Sequence, residues 1–350
     1  MHALIDGDII TYRCAFSAQS STALAYPGTA DEFVDGEGGR SYATVSPLLQ
    51  AETVGQVNKT MLEQGYRKGV DYHVVESIQP EPVAYCLYSV RNTIENIVAA
   101  LGADSYDIYL SGETNFRLKT STLIKYKGQR ARRAKPYHYD NVRDYMMKVH
   151  HAIMCEGFEA DDALADDQTK DTVICSIDKD LLQVPGRHFN WTVDPKTKPA
   201  KVLITPETGL VYKWRQVLTG DNVDNIPGIK GLGPKRAASR LRIGMSEDKM
   251  RDICIREWRR AMTSGKIGLL DADGIAKAKA LGARGVVDQI HRLVKVGGPY
   301  PDYADPLRRR EVLNNEQDAN EEGAGSTQEG ATPQEPSTAD SPTQPIPELV

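Results

Sequence analysis

The stretch "HALID", residues 2–6, with "IITYRCAFSA", residues 9–18, close behind it, decides the reading of the fold. The first is a short apolar run that stops at an aspartate and reads as a buried strand; the second reads as a helix. The alternation returns further on. "LYSVRNTIENIVAALG", 87–102, has helical spacing and a glycine stop. "YDIYL", 106–110, reads as a second strand, and the β-branched "TVICSI", 172–177, as a third. Strands alternating with helices predict an α/β domain with a largely parallel sheet. Functional residues of such sheets collect at the carboxyl ends of the strands. Residues 26–46, rich in Gly, Ser, Thr and acids, read as an irregular insertion. From about 211 to 297 the pattern is helical, with one glycine-rich break at 228–233.

The chain has 350 residues, 40 % of them hydrophobic, enough to bury a substantial core. Its net charge of -5 hides an asymmetry. Residues 311–350 hold nine acidic side chains and no Lys or Arg, which leaves 43 basic against 39 acidic side chains in the first 310. A mildly basic body admits a nucleic-acid partner that the overall charge would discourage. The tail is rich in Glu, Gln, Ser, Thr, Pro and Gly; it cannot bury enough apolar surface to offset chain entropy and is expected to be disordered. Five scattered cysteines without a CxxC argue against a zinc site or a disulfide framework and for a reducing setting. The first ten residues carry acids where a signal peptide is apolar, and no run approaches the ~20 apolar residues of a membrane helix. A soluble intracellular protein with no membrane partner is expected.

Four carboxylate clusters fall at expected strand ends or helix starts: Asp6 with Asp8; Glu159, Asp161 and Asp162 in "EGFEADDALA"; Asp178 and Asp180 in "SIDKDLLQV"; Asp221 and Asp224 in "TGDNVDNIPGIKGLGPKRA", 219–237. Any one of them reads equally as helix capping, because an N-cap Asp accepts backbone N–H bonds and suits the helix dipole. Four clusters gathered at one sheet edge would repel one another and need cations. Oxygen-only donors without Cys or His select Mg²⁺ or Mn²⁺ over zinc. Two such ions about 3.5–4 Å apart stabilise both the attacking and the leaving oxygen in phosphodiester hydrolysis.

Residues 117–148 hold ten Lys/Arg and two Asp, with Tyr126, Tyr137 and Tyr139 interleaved. A charge run of this kind is often a solvated helix face; the imbalance and the aromatics favour phosphate neutralisation and stacking on unpaired bases. In "IPGIKGLGPKRA", glycines 228, 231 and 233 precede Lys235 and Arg236. Either this is a plain helix–helix turn, or the glycines bring backbone N–H groups to a phosphate at the start of a helix near Pro234.

Taken together, "LIDGDIITYR", "YKGQR", "EADDALA", "SIDKDLLQ" and "TGDNVDNIPGIKGLGPKRA", in this order, resemble the 5′-nuclease superfamily of flap endonucleases and 5′→3′ exonucleases, in the style of phage exonucleases and the 5′-nuclease domain of bacterial DNA polymerase I. The resemblance covers roughly residues 1–25 and 100–245. It implies a PIN-like α/β domain over 1–210 with an insertion at about 26–83 and a helical arch at about 117–140. A helix–three-turn–helix module over 211–310 and the acidic tail 311–350 would follow. It implies two Mg²⁺ ions, with Mn²⁺ able to substitute. Asp6, Glu159, Asp161 and Asp178 would lie nearer one ion; Asp162, Asp180, Asp221 and Asp224 would serve the second directly or through water. Lys127 and Arg130 would pin the scissile phosphate. Arg13, Lys125, Tyr126, Gly228, Gly231, Gly233, Lys235 and Arg236 would contact DNA without reading sequence.

The implied partners are DNA with a 5′ flap, a nick or a duplex 5′ end, and an RNA–DNA hybrid. The implied setting is a monomer in the cytoplasm of a bacterium or a phage-infected cell, acting in replication or recombination. One departure stands out. Many members carry an acid after the second strand, and here Ser111 holds that place, with Glu113 the nearest substitute and Asp8 a supporting acid. Two rival readings follow: a DNA-binding module of the same fold without catalysis, and a PIN-type ribonuclease, against which the hairpin argues.

Overall fold

The structure, a computed structural model, describes residues 1–33, 42, 45–129 and 134–298. The chain begins β1 (His2–Asp6), α1 (Gly7–Ser17), β2 (Gln19–Pro27), β3 (Leu49–Ala51), α2 (Val54–Glu63), β4 (Tyr72–Pro80), α3 (Val83–Leu101). It continues β5 (Ser105–Asn115), α4 (Phe116–Thr120), α5 (Tyr139–His150), β6 (Ile153–Gly157), α6 (Ala160–Asp166), β7 (Thr172–Cys175), β8 (Gly186–Phe189), β9 (Lys201–Ile204). Four helices close the described part: α7 (Pro206–Thr219), α8 (Pro234–Arg240), α9 (Glu247–Thr263) and α10 (Ala272–Val294).

The main sheet has the order β6-β5-β1-β7-β8-β9, parallel throughout except where β9 runs against β8. β1 is central because Ala3, Leu4 and Ile5 are apolar on both faces, as a doubly covered parallel strand requires. Ala3 and Ile5 join Ile10, Val90, Ile94, Ile97, Ile108 and Met146 under α1, α3 and α5. Leu4 points the other way and packs with Tyr109, Phe158, Leu164, Ile174 and Leu181 around α6. A third core joins Val211, Trp214, Val217, Cys254, Trp258 and Val287 of the C-terminal helices with Leu123 and Tyr126.

The three expected strands and the helix ending at Gly102 are present, and Gly102 takes the left-handed φ of 61° that ends α3. On either side of residues 26–46, the segment read as irregular, the chain is ordered. β2, β3 and β4 form a separate antiparallel sheet, and α2 covers it through Val57 and Met61. Its first strand, "QSSTALAYP", is small and polar, so its pattern did not announce a strand. The segment expected as a helical arch is turns over the described residues 121–129, with helix only in the five residues of α4 and again from Tyr139. Arg130–Arg133, residues 34–41 and 43–44, and the tail expected to be disordered lie outside the described residues. The five cysteines are free and buried. No helix among the described residues is long and apolar enough to cross a membrane.

Candidate functional site

The carboxyl ends of β1, β6 and β7 each deliver an acid that begins a helix. Asp6 caps α1, its Oδ1 accepting from Ile9 N at 3.1 Å. Asp178 caps the 3-10 turn at 179–183, its Oδ1 accepting from Asp180 N at 2.8 Å. Glu159 is the N-cap of α6. Asp221 Oδ1 accepts from Val223 N at 2.7 Å and Asp224 N at 3.2 Å. The capping and the cluster readings therefore both hold: one oxygen orders the local backbone, and the carboxylates still converge.

Ser176 Oγ donates to Asp6 Oδ2 at 2.7 Å and accepts from Asp178 N at 3.0 Å, which ties the ends of β1 and β7 together. Burial, with the charges of Asp8 and Asp178, pushes Asp6 up to about 7. Burial and the charges of Asp6, Asp178 and Glu159 hold Asp161 well above the usual carboxylate range. A second group forms where Asp180 meets Asp221. Burial and the charges of Asp178 and Asp221 push Asp180 up to about 7. Its Oδ1 is buried with no hydrogen-bond partner among the described residues. Burial opposes the charge on Asp221, but Lys179, 3.0 Å from its Oδ2, outweighs that and lowers its carboxyl.

Cations sit inside the acidic site. Lys127, in a left-handed conformation with φ 51°, pairs with Glu159 and lies 3.8 Å from Asp224. Burial resists ionisation of Glu159, yet Lys127, Arg117 and a hydrogen bond from Tyr126 bring it down to about 2. Among the described residues no three acidic, His or Cys side chains are arranged to hold one ion as they stand. Lys127 and Lys179 pair with acids of the two groups instead. The chemistry of the donors still fits a hard divalent cation: oxygen only, mutually repelling, with the buried Asp180 Oδ1 accepting no hydrogen bond and Lys179 Nζ 3.9 Å from it.

Two expected site residues have other work. Asp162 is fully buried, held by both terminal nitrogens of Arg117 at 2.6 and 2.7 Å and by the N–H groups of Glu159 and Gly297 at 3.0 Å. That corrects the expectation of a metal role, because its oxygens are already saturated. Tyr126 was expected to contact DNA, but it is 3 % exposed, so its ring cannot stack on a base. Its hydroxyl lies 2.8 Å from both Glu159 Oε2 and Asp224 Oδ2. Arg117, Lys179 and Ser176 were missed, though Ser176 and Lys179 stand in "SIDKDLLQ" and Arg117 opens the basic segment 117–148.

The loop "YKGQ" and the loop "DNVDN" are laced together. Lys127 N donates to Asp224 O at 2.9 Å, Asn225 Nδ2 to Lys125 O at 2.8 Å, and Gln129 Nε2 to Asn225 Oδ1 at 3.0 Å. Asn225 holds φ 60°, which Asn tolerates better than most residues. Ser111, where an acid was expected, accepts from Ala160 N at 2.9 Å through its Oγ and so anchors the start of α6. Its own N–H donates to Asp8, which Arg143 also holds at 3.0 Å.

Gly228 is buried, and a Cβ there would stand 1.9 Å from Thr219 O. Packing against the end of α7 requires this glycine, which corrects its assignment to DNA contact. Gly231, with φ 79°, and Gly233, with open space around it, lie on the exposed turn before α8 with Lys235. Arg236 folds back onto Gly231 O at 2.7 Å, and Arg13 and Lys125 are exposed. Arg130 lies outside the described residues.

The titrations set a pH dependence. Asp6 and Asp180 have folded values raised above their unfolded ones, so their contribution is full in acid and is lost as pH rises from about 4 to about 7. Glu159 is depressed, so its contribution is present above about 4.5 and is lost as pH falls towards 2. Thermal unfolding in EDTA should show greatest stability near pH 4–5 and a decline towards 7. Mg²⁺ should remove the decline. A flat profile in EDTA would contradict the clustering of these acids.

No protein-family model matches the chain. It is 38 % identical over 104 residues to DNA polymerase I of Rhizobium leguminosarum, covering 25 % of this chain and 10 % of that one. It is 37 % identical over 110 residues to the 5'-3' exonuclease of Mycoplasma pneumoniae, covering 26 % and 37 %. Against DNA polymerase I of Streptococcus pneumoniae serotype 4 it is 28 % identical over 191 residues, covering 46 % and 21 %. The chain thus spans well under half the length of these relatives. The T5 D15 protein crystallised with metal ions is 14 % identical, with a TM-score of 0.40 over 84 % of this chain and 97 % of that one, a likeness too weak to carry an argument. Over these parts of its length the chain is similar to bacterial DNA polymerases I and to a mycoplasmal 5'-3' exonuclease.

Proposed function

We propose that the chain is a metal-dependent, structure-specific 5′-nuclease that hydrolyses DNA phosphodiesters at or near 5′ ends. The observation that carries this is the convergence of Asp6, Glu159, Asp161 and Asp178 at one edge of the parallel sheet, beside Lys127 and a loop laced to Asp224. Two divalent ions, Mg²⁺ with Mn²⁺ able to substitute, would be held by Asp6, Glu159, Asp161 and Asp178 and by Asp180, Asp221 and Asp224. Bound there, they would supply Lewis-acid stabilisation of the phosphate oxygens and an ionised water.

The protein's own groups do the rest. Lys127, at the acidic edge beside Glu159 and Asp224, would offer its ammonium to the scissile phosphate. Tyr126 keeps Glu159 and Asp224 at a fixed separation. The Asp6 carboxylate, held by Ile9 N and Ser176 Oγ, and that of Asp178, held by Asp180 N, keep their orientation without reorganisation cost. The exposed turn at Gly231–Lys235 would grip duplex backbone. We place the catalytic domain at 1–210 and the duplex-holding module at 211–310, working as a monomer on flapped, nicked or 5′-ended DNA and on RNA–DNA hybrids.

The test is a 5′-labelled flap, nicked duplex, RNA–DNA hybrid and single-stranded RNA, each incubated with Mg²⁺ and with EDTA. Product from the DNA-containing substrates that EDTA suppresses supports the proposal, and its absence from all of them overturns it. The second reading, a DNA-binding module without catalysis, rests on Lys127 and Lys179 pairing with Glu159 and Asp221; binding without cleavage selects it. For Lys235→Ala the expected result is weaker duplex binding with a salt slope smaller by about one. An unchanged slope argues against a phosphate contact.

A further inference from the structure

Two turns of the C-terminal helices lie against each other. The first, residues 228–233, is the glycine-rich run that precedes α8. The second, residues 264–271, joins α9 to α10 and lies outside every motif of the sequence quoted above. Ile229 and Ile267 form an antiparallel bridge between them. Gly268 N donates to Gly228 O at 2.8 Å, and Lys230 N to Lys266 O at 3.0 Å. A Cβ at Gly268 would stand 3.1 Å from Gly228 O, so the two backbones meet where neither residue carries a side chain.

This pairing puts Lys230 and Lys266 directly opposite each other. Ile267 is buried and Ile229 packs on the same core, so alternation turns both lysines outward, and both are exposed. Cross-strand neighbours share one face, with Cβ atoms roughly 4.5–5.5 Å apart, and like charges there repel. The backbone allows little escape. Gly265, with φ 66°, ends α9, and Lys266 N donates to Ala261 O at 2.8 Å while its carbonyl accepts from Lys230. Leu269 takes φ 64°, which a bulky residue holds only where its surroundings impose it, and ligand clamps are among the places where such strain collects.

Other cations of these helices are matched by acids: Arg240 and Arg260 pair with Glu257, Arg251 with Asp288 and Lys277 with Asp273. Among the described residues Lys230 and Lys266 form no ion pair. The acids that follow the second turn are engaged elsewhere, since Asp271 Oδ1 accepts from Gly274 N at 2.8 Å and Asp273 holds Lys277 at 2.6 Å.

We propose that Lys230 and Lys266 clamp one phosphate of a duplex backbone, so that the turn between α9 and α10 is a second contact beside the glycine-rich turn. An anion between the two ammoniums turns their repulsion into a shared attraction. Neither turn carries an aromatic residue, which fits a backbone contact rather than stacking on a base. The proposal rests on the proposed function for duplex DNA as the ligand.

The test is Lys230→Gln and Lys266→Gln, singly and together, with fluorescence anisotropy in EDTA on a blunt duplex of about 20 base pairs over a NaCl series. The double variant is expected to bind about three- to ten-fold more weakly near 0.1 M NaCl, with a salt slope smaller by about one. An unchanged slope would overturn the contact, and a fall of about two would replace the shared clamp with two separate phosphates. In the free protein Lys266→Gln removes a repulsion and should raise Tm by about 1–2 °C. A Tm lower by several degrees would give the lysine to the fold instead and overturn the clamp. Inorganic phosphate is the second probe. A phosphate-dependent rise in Tm that the double variant abolishes, with duplex binding unchanged, would assign the pair to a free anion and overturn the duplex contact. Because the readout is binding without divalent metal, it stands whether or not the protein cleaves.

Discussion

Asp178→Asn should lower Mg²⁺-dependent cleavage by roughly 10²–10³-fold and leave duplex affinity in EDTA unchanged. Asparagine keeps the oxygen that accepts Asp180 N, so the turn at 179–183 survives and only the charge is lost. That charge is felt in both acidic groups, raising Asp6 and Asp161 in one and Asp180 in the other. Its removal should therefore stabilise the metal-free protein, by about 0.5–2 kcal/mol, even as it removes activity. Opposite movement of stability and rate identifies a group held in place for chemistry at a cost to the fold. A variant that cleaves normally, or that loses stability in EDTA, would contradict the assignment.

The largest effect on stability is expected at Arg117. This guanidinium is 2 % exposed and pairs with Asp162 at 2.6 Å and Glu159 at 3.2 Å. It also donates to the carbonyls of Leu293 at 3.0 Å and Lys295 at 2.6 Å. Arg117→Met leaves two buried carboxylates and two carbonyls without this partner and should cost about 3–5 kcal/mol in urea unfolding. Lysine cannot replace the planar fork that bridges four acceptors, so Arg117→Lys should recover only part of the loss. Adding Asp162→Asn to Arg117→Met should restore part of it by removing one stranded charge. A loss below about 1 kcal/mol for Arg117→Met would mean that the network is not fully desolvated.

Much of the site was legible because the acids occur in short runs at strand ends, where an apolar strand gives way to a capped helix. The pattern could not show what the acids bind. Asp162 reads like its neighbour Asp161, and only the fold reveals that one meets Arg117 and the other faces Asp6. Tyr126 reads as a stacking residue because it stands among lysines, yet the C-terminal helices bury it. Gly228 reads as a ligand-approach glycine, and the end of α7 claims it. The short strands β6, β8 and β9, with four or five residues each, carry too few positions for a period to emerge. β2 was hidden by its serines and alanines, which suit a small sheet with little depth to fill.

The bonds from Arg117 to Leu293 and Lys295, and from Gly297 to Asp162, set an order of events during synthesis. β1 is made first, but its partners β5 and β7 begin at residues 105 and 172. The residues that close the Arg117 network arrive last of all those described. A nascent chain halted near residue 290 would hold every acid of the site and still lack the acceptors that seat Arg117. It should remain protease-sensitive and inactive until about ten more residues emerge. The proposed nuclease, assembled in this order, would stay harmless on the ribosome, and stalled-chain proteolysis would reveal the step.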